Sequence, residues 1–360
     1  MSKILSIGTA LPAWCHKQTD ILQFMQQVYA ADEGERRKLR FLYGQSAIGQ
    51  RYSVIPDYSR PMAEWKFYSP TEGLEPFPAL EQRMAVYHKQ APLLSVDAIR
   101  ECLQHKWEAR SITHLITVSC TGMSAPGLDL QVLELMDLRP DIFRTSVNFM
   151  GCYAALHGLR IADALCASDK NARVLVVCTE LCTLHFQREA TPDNIASSLL
   201  FGDGSAALLL AHDGHDGAGL IVDGFHSEVV PKGRRDMAWE LSSSGFLMTL
   251  SGYVPDLIEE DFRAITDRAL ARQGLSSDDV THWCLHPGGK RILDAVDKSM
   301  GFTDGQLQAS RDVLQECGNL SSATLLFVLK RMLDSGAPVP RLFGAAFGPG
   351  LTMETFTAHS

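Results

Sequence analysis

The sequence predicts an α/β protein in which buried strands alternate with helices. Residues 114–118 and 172–178 are short apolar runs rich in branched side chains, as buried strands are. Between them, residues 128–138 and 152–165 have the periodicity of helices. Buried strands that alternate with helices are typical of sheets covered by helices.

The second part of the chain continues this alternation. A Gly-Asp-Gly turn enters a buried strand within residues 201–210, and the Gly-, His- and Asp-rich stretch 212–219 is typical of a surface connection. We then expect a strand from residue 220, a helix over 258–273 and a strand over 281–285. The polar, Pro-containing stretch 53–78 is expected to be a long surface segment.

The two parts place a polar residue in the same way. Each has a candidate functional side chain at the end of a strand, where a helix begins: Cys152 in the first and His286 in the second. We therefore predict two similar halves, an N-terminal one over residues 1–213 and a C-terminal one over 214–360.

Composition excludes several classes of function. The 360 residues are 46% hydrophobic and 21% charged, as in a globular protein. A net charge of -9 disfavours nucleic acid as the main partner. Apolar runs fall short of the roughly 18 residues of a membrane span, and the start of the chain resembles a buried strand more than a signal peptide. We expect a cytoplasmic protein without a membrane span.

The nine cysteines are scattered singly, and none belongs to a C-x-x-C pair. In a large chain without an export signal, most are expected to be reduced and buried. Since no His/Cys cluster has the spacing of a zinc site, we expect neither a metal nor another cofactor.

Cys152 is the candidate nucleophile. It follows Gly151 at the point where a strand-like run passes into a helix-like run. The free N–H groups and the macrodipole at the start of a helix favour a thiolate. We therefore expect a lowered pKa for the Cys152 thiol, and readier oxidation than that of the buried cysteines.

His286 and Asn319 are candidate partners of this cysteine. His286 lies between a short strand and a Pro-Gly-Gly bend, where its imidazole can act as a base or a hydrogen-bond donor. Asn319 precedes an apolar helix that runs to about Met332, so it is either a capping residue or a donor to an oxyanion.

The residues around these three positions resemble the type III polyketide synthases, the chalcone and stilbene synthase family within the thiolase-like condensing enzymes. The resemblance covers essentially the whole chain, and the family's final motif is altered only by Ala346 in place of a glycine. The matching motifs are Gly151-Cys152, His286-Pro287-Gly288-Gly289, Gly318-Asn319-Leu320-Ser321-Ser322 and residues 346–354.

The resemblance implies a five-layered αβαβα fold, a homodimer and a reaction. In such enzymes the cysteine takes an acyl group from a CoA thioester. The histidine and asparagine bind the carbonyl oxygen of malonyl-CoA as it loses carbon dioxide, and the enolate attacks the acyl chain. Cys152, His286 and Asn319 would carry these roles, with acyl-CoA and malonyl-CoA as the substrates.

The resemblance also assigns residues to the substrate cavity. Phe201 stands at the position of a gatekeeper phenylalanine, although a core aromatic before a turn would look the same. Met248 replaces the second gatekeeper phenylalanine of the plant enzymes. Ser321 is expected to line the same cavity or to cap its helix.

Two further departures from the plant pattern disfavour a bulky phenylpropanoid starter, because His185 stands where a threonine is usual and Trp239 where a glycine is usual. Ala125 stands where a methionine enters the partner subunit's cavity, and its smaller side chain is expected to open a channel across the dimer interface. We therefore expect a linear acyl chain, and an alkylpyrone, an alkylresorcinol or a small phenolic as product.

Binding of CoA by an acidic protein requires local cations. Lys38, Lys290 and Arg291 are the candidates, and a solvated helix start explains the last two equally well. Phe41 and Gln45 stand where the plant enzymes carry further basic contacts, so CoA docking there is expected to differ.

Three other functions are compatible with a Cys, His and Asn set. A β-ketoacyl-carrier-protein synthase that makes one condensation shares the set, but the Pro-Gly-Gly and C-terminal motifs disfavour it. A non-catalytic acyl-CoA-binding protein would not need all three residues. A papain-type hydrolase would need another sequence around the nucleophile.

Overall fold

The computed structural model describes residues 1–104, 106–303 and 305–360. Its strands are β1 (Ser2–Ala10), β2 (Trp14–Lys17), β3 (Gln50–Ser53), β4 (His114–Ser119), β5 (Phe143–Asn148), β6 (Arg173–Leu181), β7 (Asp203–His212), β8 (Leu220–Val229), β9 (Met237–Ser242), β10 (Gly245–Leu250), β11 (His282–Leu285), β12 (Leu342–Gly348) and β13 (Thr352–His359). Its α-helices are α1 (Gln18–Tyr29), α2 (Glu33–Gly44), α3 (Leu80–Leu103), α4 (Leu128–Leu135), α5 (Ala154–Ser168), α6 (Pro192–Leu200), α7 (Val254–Ala271), α8 (Lys290–Met300), α9 (Gln308–Cys317) and α10 (Thr324–Asp334).

The sheet topology repeats itself along the chain. In the first half the strand order is β5-β4-β6-β7-β1, with β4 parallel to β6 and the following two pairs antiparallel. In the second half the order β11-β12-β13-β8 has the same sequence of one parallel and two antiparallel pairs. A short β1–β8 pairing joins them into one nine-stranded sheet. The predicted repetition of architecture is confirmed.

Alternate side chains on each strand point to opposite faces of the sheet, and each face packs against different helices. Ile116 and Val118 on β4 pack into the central core with α5 and α10, whereas Leu115 packs outward with α1, α3 and α4. On β12, Leu342 faces the central core and Phe343 faces α7 and α8. Helices therefore lie outside and between the two halves of the sheet, which gives the predicted five αβαβα layers.

The predicted boundary between residues 213 and 214 lies in the turn between β7 and β8. The division into two domains stays a prediction, because the central core draws residues from both halves.

The segment 53–78 is not the simple surface segment that was expected. Tyr58, Trp65 and Tyr68 are buried in it, and their rings cluster around Phe24. The buried carboxylate of Asp57 accepts hydrogen bonds from three backbone N–H groups, those of residues 66–68. Aromatic anchors without helical or strand periodicity left no signal of burial in the sequence.

No helix in the described part of the chain is both long and apolar enough to cross a bilayer.

Candidate active site

A strained turn between β5 and α5 carries Cys152. Phe149 and Gly151 have φ angles of 59° and 83°, in the left-handed region that favours glycine. A Cβ atom on Gly151 would lie 2.1 Å from Cδ of Pro349, so only glycine fits. The C-terminal motif thus packs directly against the nucleophile turn, which explains why two distant motifs belong to one site.

The Cys152 thiol is partly exposed and bonded to Ser321. Its Sγ donates to Ser321 Oγ over 3.7 Å. Burial raises the pKa of Cys152 to about 12, and hydrogen bonds from Ser321 and Asn319 offset only part of this effect. The predicted lowering of this pKa is therefore wrong, because desolvation outweighs the start of α5. The expected ready oxidation loses its basis, since the thiol is protonated at neutral pH.

Asn319 has its side chain fixed at both ends. Its Oδ1 accepts the Ser321 N–H at 2.8 Å, and its Nδ2 donates to the Gly288 carbonyl at 3.2 Å. The Asn319 backbone pairs with Phe201 in an isolated parallel bridge. The two predicted roles are therefore compatible, because one side-chain atom orders the turn before α10 and the other carries N–H groups toward the His286 bend.

His286 is buried at the end of β11 beside the same glycine. A Cβ atom on Gly288 would lie 3.9 Å from His286 Nε2. Burial lowers the pKa of His286 to about 3, so the imidazole is neutral at pH 7. Among the described residues, neither ring nitrogen has a hydrogen-bond partner, and no hydrogen bond joins His286 to Cys152. Both nitrogens are buried, and His286 does not belong to the lining of the cavity at Cys152.

The three predicted catalytic residues come from different elements but share neighbours. Ser321 connects Cys152 to Asn319, and Gly288 connects Asn319 to His286. Ser321 itself has a φ of 50°, a sparsely populated conformation for a residue other than glycine. The roles of these residues stay predictions.

A cavity opens at Cys152, and its empty space together with the open solvent at its mouth is about 930 Å³. It contains the predicted cavity residues Phe201, Met248, His185, Trp239 and Ser321. Ala125 is exposed and does not line this cavity, so a place in a partner subunit's cavity stays a prediction.

An aromatic wall closes one side of the cavity. It consists of His185, Trp239 and Phe246. The ring of His185 stacks on Phe246 with centroids 4.2 Å apart, and Trp239 meets both rings edge-on. His185 Nδ1 accepts the Phe246 N–H at 3.1 Å, its Nε2 donates to the Thr121 carbonyl at 2.7 Å, and burial lowers its pKa to about 3. His185 is therefore a neutral crosslink. Sequence reasoning missed Phe246, which lies two residues before Met248 on β10.

Glu180 is a second residue that the sequence did not reveal. This buried carboxyl accepts hydrogen bonds from Cys120 N, Thr121 Oγ1 and Ser322 Oγ, at 2.9, 2.9 and 2.5 Å. Burial nevertheless raises its pKa from 4.5 to about 7. Through its three hydrogen bonds, Glu180 connects the end of β4 to the turn that holds Asn319. An isolated acid inside an apolar strand was its only sequence signal.

The candidate CoA contacts lie outside the lining of the cavity. Lys38 is exposed on α2. Lys290 bonds Asp294 within α8 at 2.6 Å, and Arg291 lies 4.0 Å from Asp256. CoA binding by these residues stays a prediction.

Within residues 1–104, 106–303 and 305–360, no group of three or more His, Cys, Asp or Glu side chains is placed to hold a metal ion.

The fold has five layers, and Cys152 lines the cavity, whereas Asn319 and His286 are buried behind it and are connected to Cys152 through Ser321 and Gly288. The family model for chalcone and stilbene synthases matches with its N-terminal domain over residues 1–214 and its C-terminal domain over 224–360. The chain therefore belongs to the chalcone and stilbene synthase family, and it is a type III polyketide synthase, an acyltransferase.

Two solved structures are similar over the full length. PKS-I from the brown alga Ectocarpus siliculosus has a TM-score of 0.93 and 26% identity, with 100% of this chain and 98% of that chain covered. The C-terminal type III polyketide synthase domain of Steely1, a type I/III hybrid from Dictyostelium, has a TM-score of 0.92 and 27% identity, with 100% and 99% covered.

Proposed function

We propose that this enzyme loads an acyl-CoA starter on Cys152, extends it repeatedly with malonyl-CoA, and cyclises the product to an alkylpyrone, an alkylresorcinol or a related phenolic. The observation that carries the proposal is that Cys152 and Ser321 line one largely apolar cavity and that Ser321 is hydrogen-bonded to Asn319 directly behind it. A cavity of this kind holds an acyl chain beside the nucleophile.

Acyl loading begins from a neutral thiol and a neutral imidazole. As Cys152 Sγ attacks the thioester carbonyl, His286 accepts the thiol proton as a general base. The tetrahedral intermediate then collapses, the bond to the CoA sulfur breaks, and the imidazolium returns the proton to that sulfur. Since burial raises the pKa of Cys152 and lowers that of His286, the proton is proposed to move only during the attack and not before the substrate binds.

Decarboxylation uses Asn319 and His286 as donors. Their N–H groups bind the thioester oxygen of malonyl-CoA, so that the electron pair from the broken C–CO₂ bond is held as an enolate. The enolate carbon attacks the acyl carbonyl on Cys152 and expels the sulfur as a thiolate, which takes up one proton from solvent before the next loading. Phe201, in the lining of the cavity, would exclude water from this step.

The shape and chemistry of the cavity favour a linear starter. Met248 offers a flexible side chain, whereas the wall of His185, Trp239 and Phe246 is rigid. Lys38, Lys290 and Arg291 are proposed to bind CoA phosphates near the entrance. No metal or redox cofactor enters the proposed reaction.

We also propose that the enzyme is a cytoplasmic homodimer that pairs through β5. This strand ends the sheet, and most of its residues are exposed, Phe143 above all. An edge strand with an exposed aromatic side chain is a ready surface for a second copy.

Mass spectrometry of products from the purified enzyme tests the function. The enzyme is given malonyl-CoA with starters from acetyl-CoA to long-chain acyl-CoA, beside the Cys152→Ala variant. Pyrones or resorcinols whose mass follows the starter support the proposal, and products from malonyl-CoA alone would shift it to a small phenolic. A single condensation favours the ketoacyl-synthase alternative, and wild-type product formation by Cys152→Ala contradicts the assignment.

A further inference from the structure

We infer that Arg51 is a positioning residue that holds Asn319 and Phe201 in the geometry that malonyl decarboxylation requires. This inference rests on the proposed function. It concerns a residue on the short strand β3, in a stretch of sequence that carries no functional motif.

Arg51 binds the end of α6 together with Gln18. The Arg51 side chain is only 3% exposed. Its Nη1 donates to the Phe201 carbonyl at 2.6 Å, and its Nε donates to Gln18 Oε1 at 3.0 Å. Gln18 Nε2 in turn donates to the Leu199 carbonyl at 3.0 Å. The pair thus satisfies two carbonyl groups at a helix C-terminus, where a positive charge is favourable.

The segment that Arg51 binds is the one that carries Asn319. Asn319 N donates to the Leu200 carbonyl at 2.9 Å, and Gly202 N donates to the Asn319 carbonyl at 2.9 Å. Arg51 also packs on the other side of this bridge, because a Cβ on Gly318 would lie 2.8 Å from Arg51 Cγ. Gly318 has a φ of 70°, so the approach needs glycine there. One side chain therefore fixes both partners of the bridge.

The guanidinium does more than fill space beside the bridge. Among the described residues, Arg51 donates to Gln18 and to the Phe201 carbonyl and not to a carboxylate, and its Nη2 has no hydrogen-bond partner. The charge of Asp203 acts to raise the pKa of Arg51, but the oxygens of Asp203 are bonded to Val54 N and Thr183. An apolar side chain would leave the Phe201 carbonyl without its donor, so the donor groups of Arg51 are directed at the segment that pairs with Asn319. Arg51 also lines the cavity at which Phe201 and Cys152 meet.

The expected result is a separation of the two half-reactions in Arg51→Met. Acyl loading on Cys152, measured by the mass of the intact protein, should fall far less than decarboxylation. Decarboxylation of malonyl-CoA should fall about 100-fold in kcat, as expected for a donor displaced by a fraction of an ångström to an ångström. KM for malonyl-CoA should change little, since Arg51 itself does not bind the thioester.

Three variants separate positioning from a loss of stability. Arg51→Lys, which can still reach one carbonyl, should recover part of the decarboxylation. Gln18→Leu keeps the charge but removes one support, and it should show a smaller loss in the same half-reaction. Arg83→Met removes another buried arginine, one that donates to the carbonyls of Pro78 and Phe186, and it should lower loading and decarboxylation in equal proportion.

Equal losses of loading and decarboxylation in Arg51→Met, or unchanged decarboxylation, would overturn the inference. If Arg51→Met does not fold, Gln18→Leu decides by the same ratio. A wild-type enzyme that neither loads an acyl group nor releases carbon dioxide would instead contradict the proposed function, so the two failures are distinguishable.

Discussion

Burial shifts the pKa values of Cys152 and His286 in opposite directions, and both shifts favour the uncharged form. The thiol pKa rises to about 12 and the imidazole pKa falls to about 3. A resting thiolate–imidazolium pair is therefore disfavoured, and the nucleophile forms only as the proton is transferred during attack.

Asn319→Ala separates the donor role from the structural role of this residue. Loss of the Nδ2 donor should lower malonyl decarboxylation by roughly 10²–10³-fold. Loss of the Oδ1 contact with Ser321 N should cost about 1 kcal/mol of unfolding free energy. Carbon dioxide release and denaturant unfolding measure the two effects. A variant that loses stability but decarboxylates normally would contradict the donor role.

The raised pKa of Glu180 predicts a pH dependence of stability. The folded protein holds this proton up to about pH 7, whereas the unfolded chain releases it near 4.5. Between these values the folded state binds more protons, so the Glu180 contribution to stability falls as pH rises and levels off above about 7. The shift corresponds to about 3 kcal/mol.

Denaturant unfolding from pH 4 to 8 tests this linkage. His185 and His286, whose pKa values are lowered, act in the opposite direction as pH falls below 6.5, so the wild type must be compared with a variant. Relative to Glu180→Gln, the wild type should lose stability between pH 4.5 and 7 and not beyond. Glu189→Gln, an exposed glutamate, controls for the substitution itself. A constant difference from Glu180→Gln across the range would contradict the prediction.

At this scale, the sequence revealed residues whose role depends on a local motif. Cys152 and His286 stand in strand-to-helix turns, Asn319 and Ser321 stand in the turn between α9 and α10, and the local motifs with the family resemblance selected them. The pKa values of Cys152 and His286 could not be predicted, because desolvation depends on side chains that arrive from distant segments. The predicted effect of the helix start on the pKa of Cys152 had the correct direction, but burial changes this pKa by more.

At the scale of elements, the β9–β10 hairpin forms part of the cavity through tertiary contacts that no sequence pattern indicates. Trp239 Nε1 donates to the Cys120 carbonyl at 2.7 Å, and Phe246 N donates to His185 at 3.1 Å. These bonds join the hairpin to the ends of the central strands. Neither strand was predicted from the sequence, and the face turned toward Cys152 depends on this tertiary contact.

Trp239→Gly is expected to remove the wall and to extend the cavity. The products should shift toward longer starters or further extensions, as measured by the mass spectrum with the same starter panel. Trp239→Phe keeps most of the ring but leaves the Cys120 carbonyl without its donor, which should cost about 1–3 kcal/mol of stability with little change of product. Identical product spectra for Trp239→Gly and the wild type would show that the wall does not limit the chain.

At the scale of the whole molecule, the α/β alternation was sufficient to predict sheets covered by helices. The two halves were visible because each repeats a strand, a turn with a polar residue, and a helix. The joining of both halves into one nine-stranded sheet was not predictable, since it depends on a short pairing of Lys3 and Ile4 with residues of β8. Likewise, the burial of segment 53–78 depends on aromatic rings from other elements.

The free edge at β5 makes a prediction about assembly. Phe143 on this strand is 71% exposed, and Met123 and Leu135 are also exposed apolar residues. Phe143→Glu places a charge where the second copy is proposed to pair, and burial of an unpaired charge is costly, so the dimer should dissociate.

Tyr253→Glu is the matched control, because Tyr253 is 72% exposed at the start of α7, far from β5 in the chain. Light scattering after size exclusion should give twice the 39.6 kDa chain mass for the wild type and the control, and about one chain mass for Phe143→Glu. A Phe143→Glu variant that stays dimeric would place the interface on another surface, and a monomeric wild type would contradict the proposed dimer altogether.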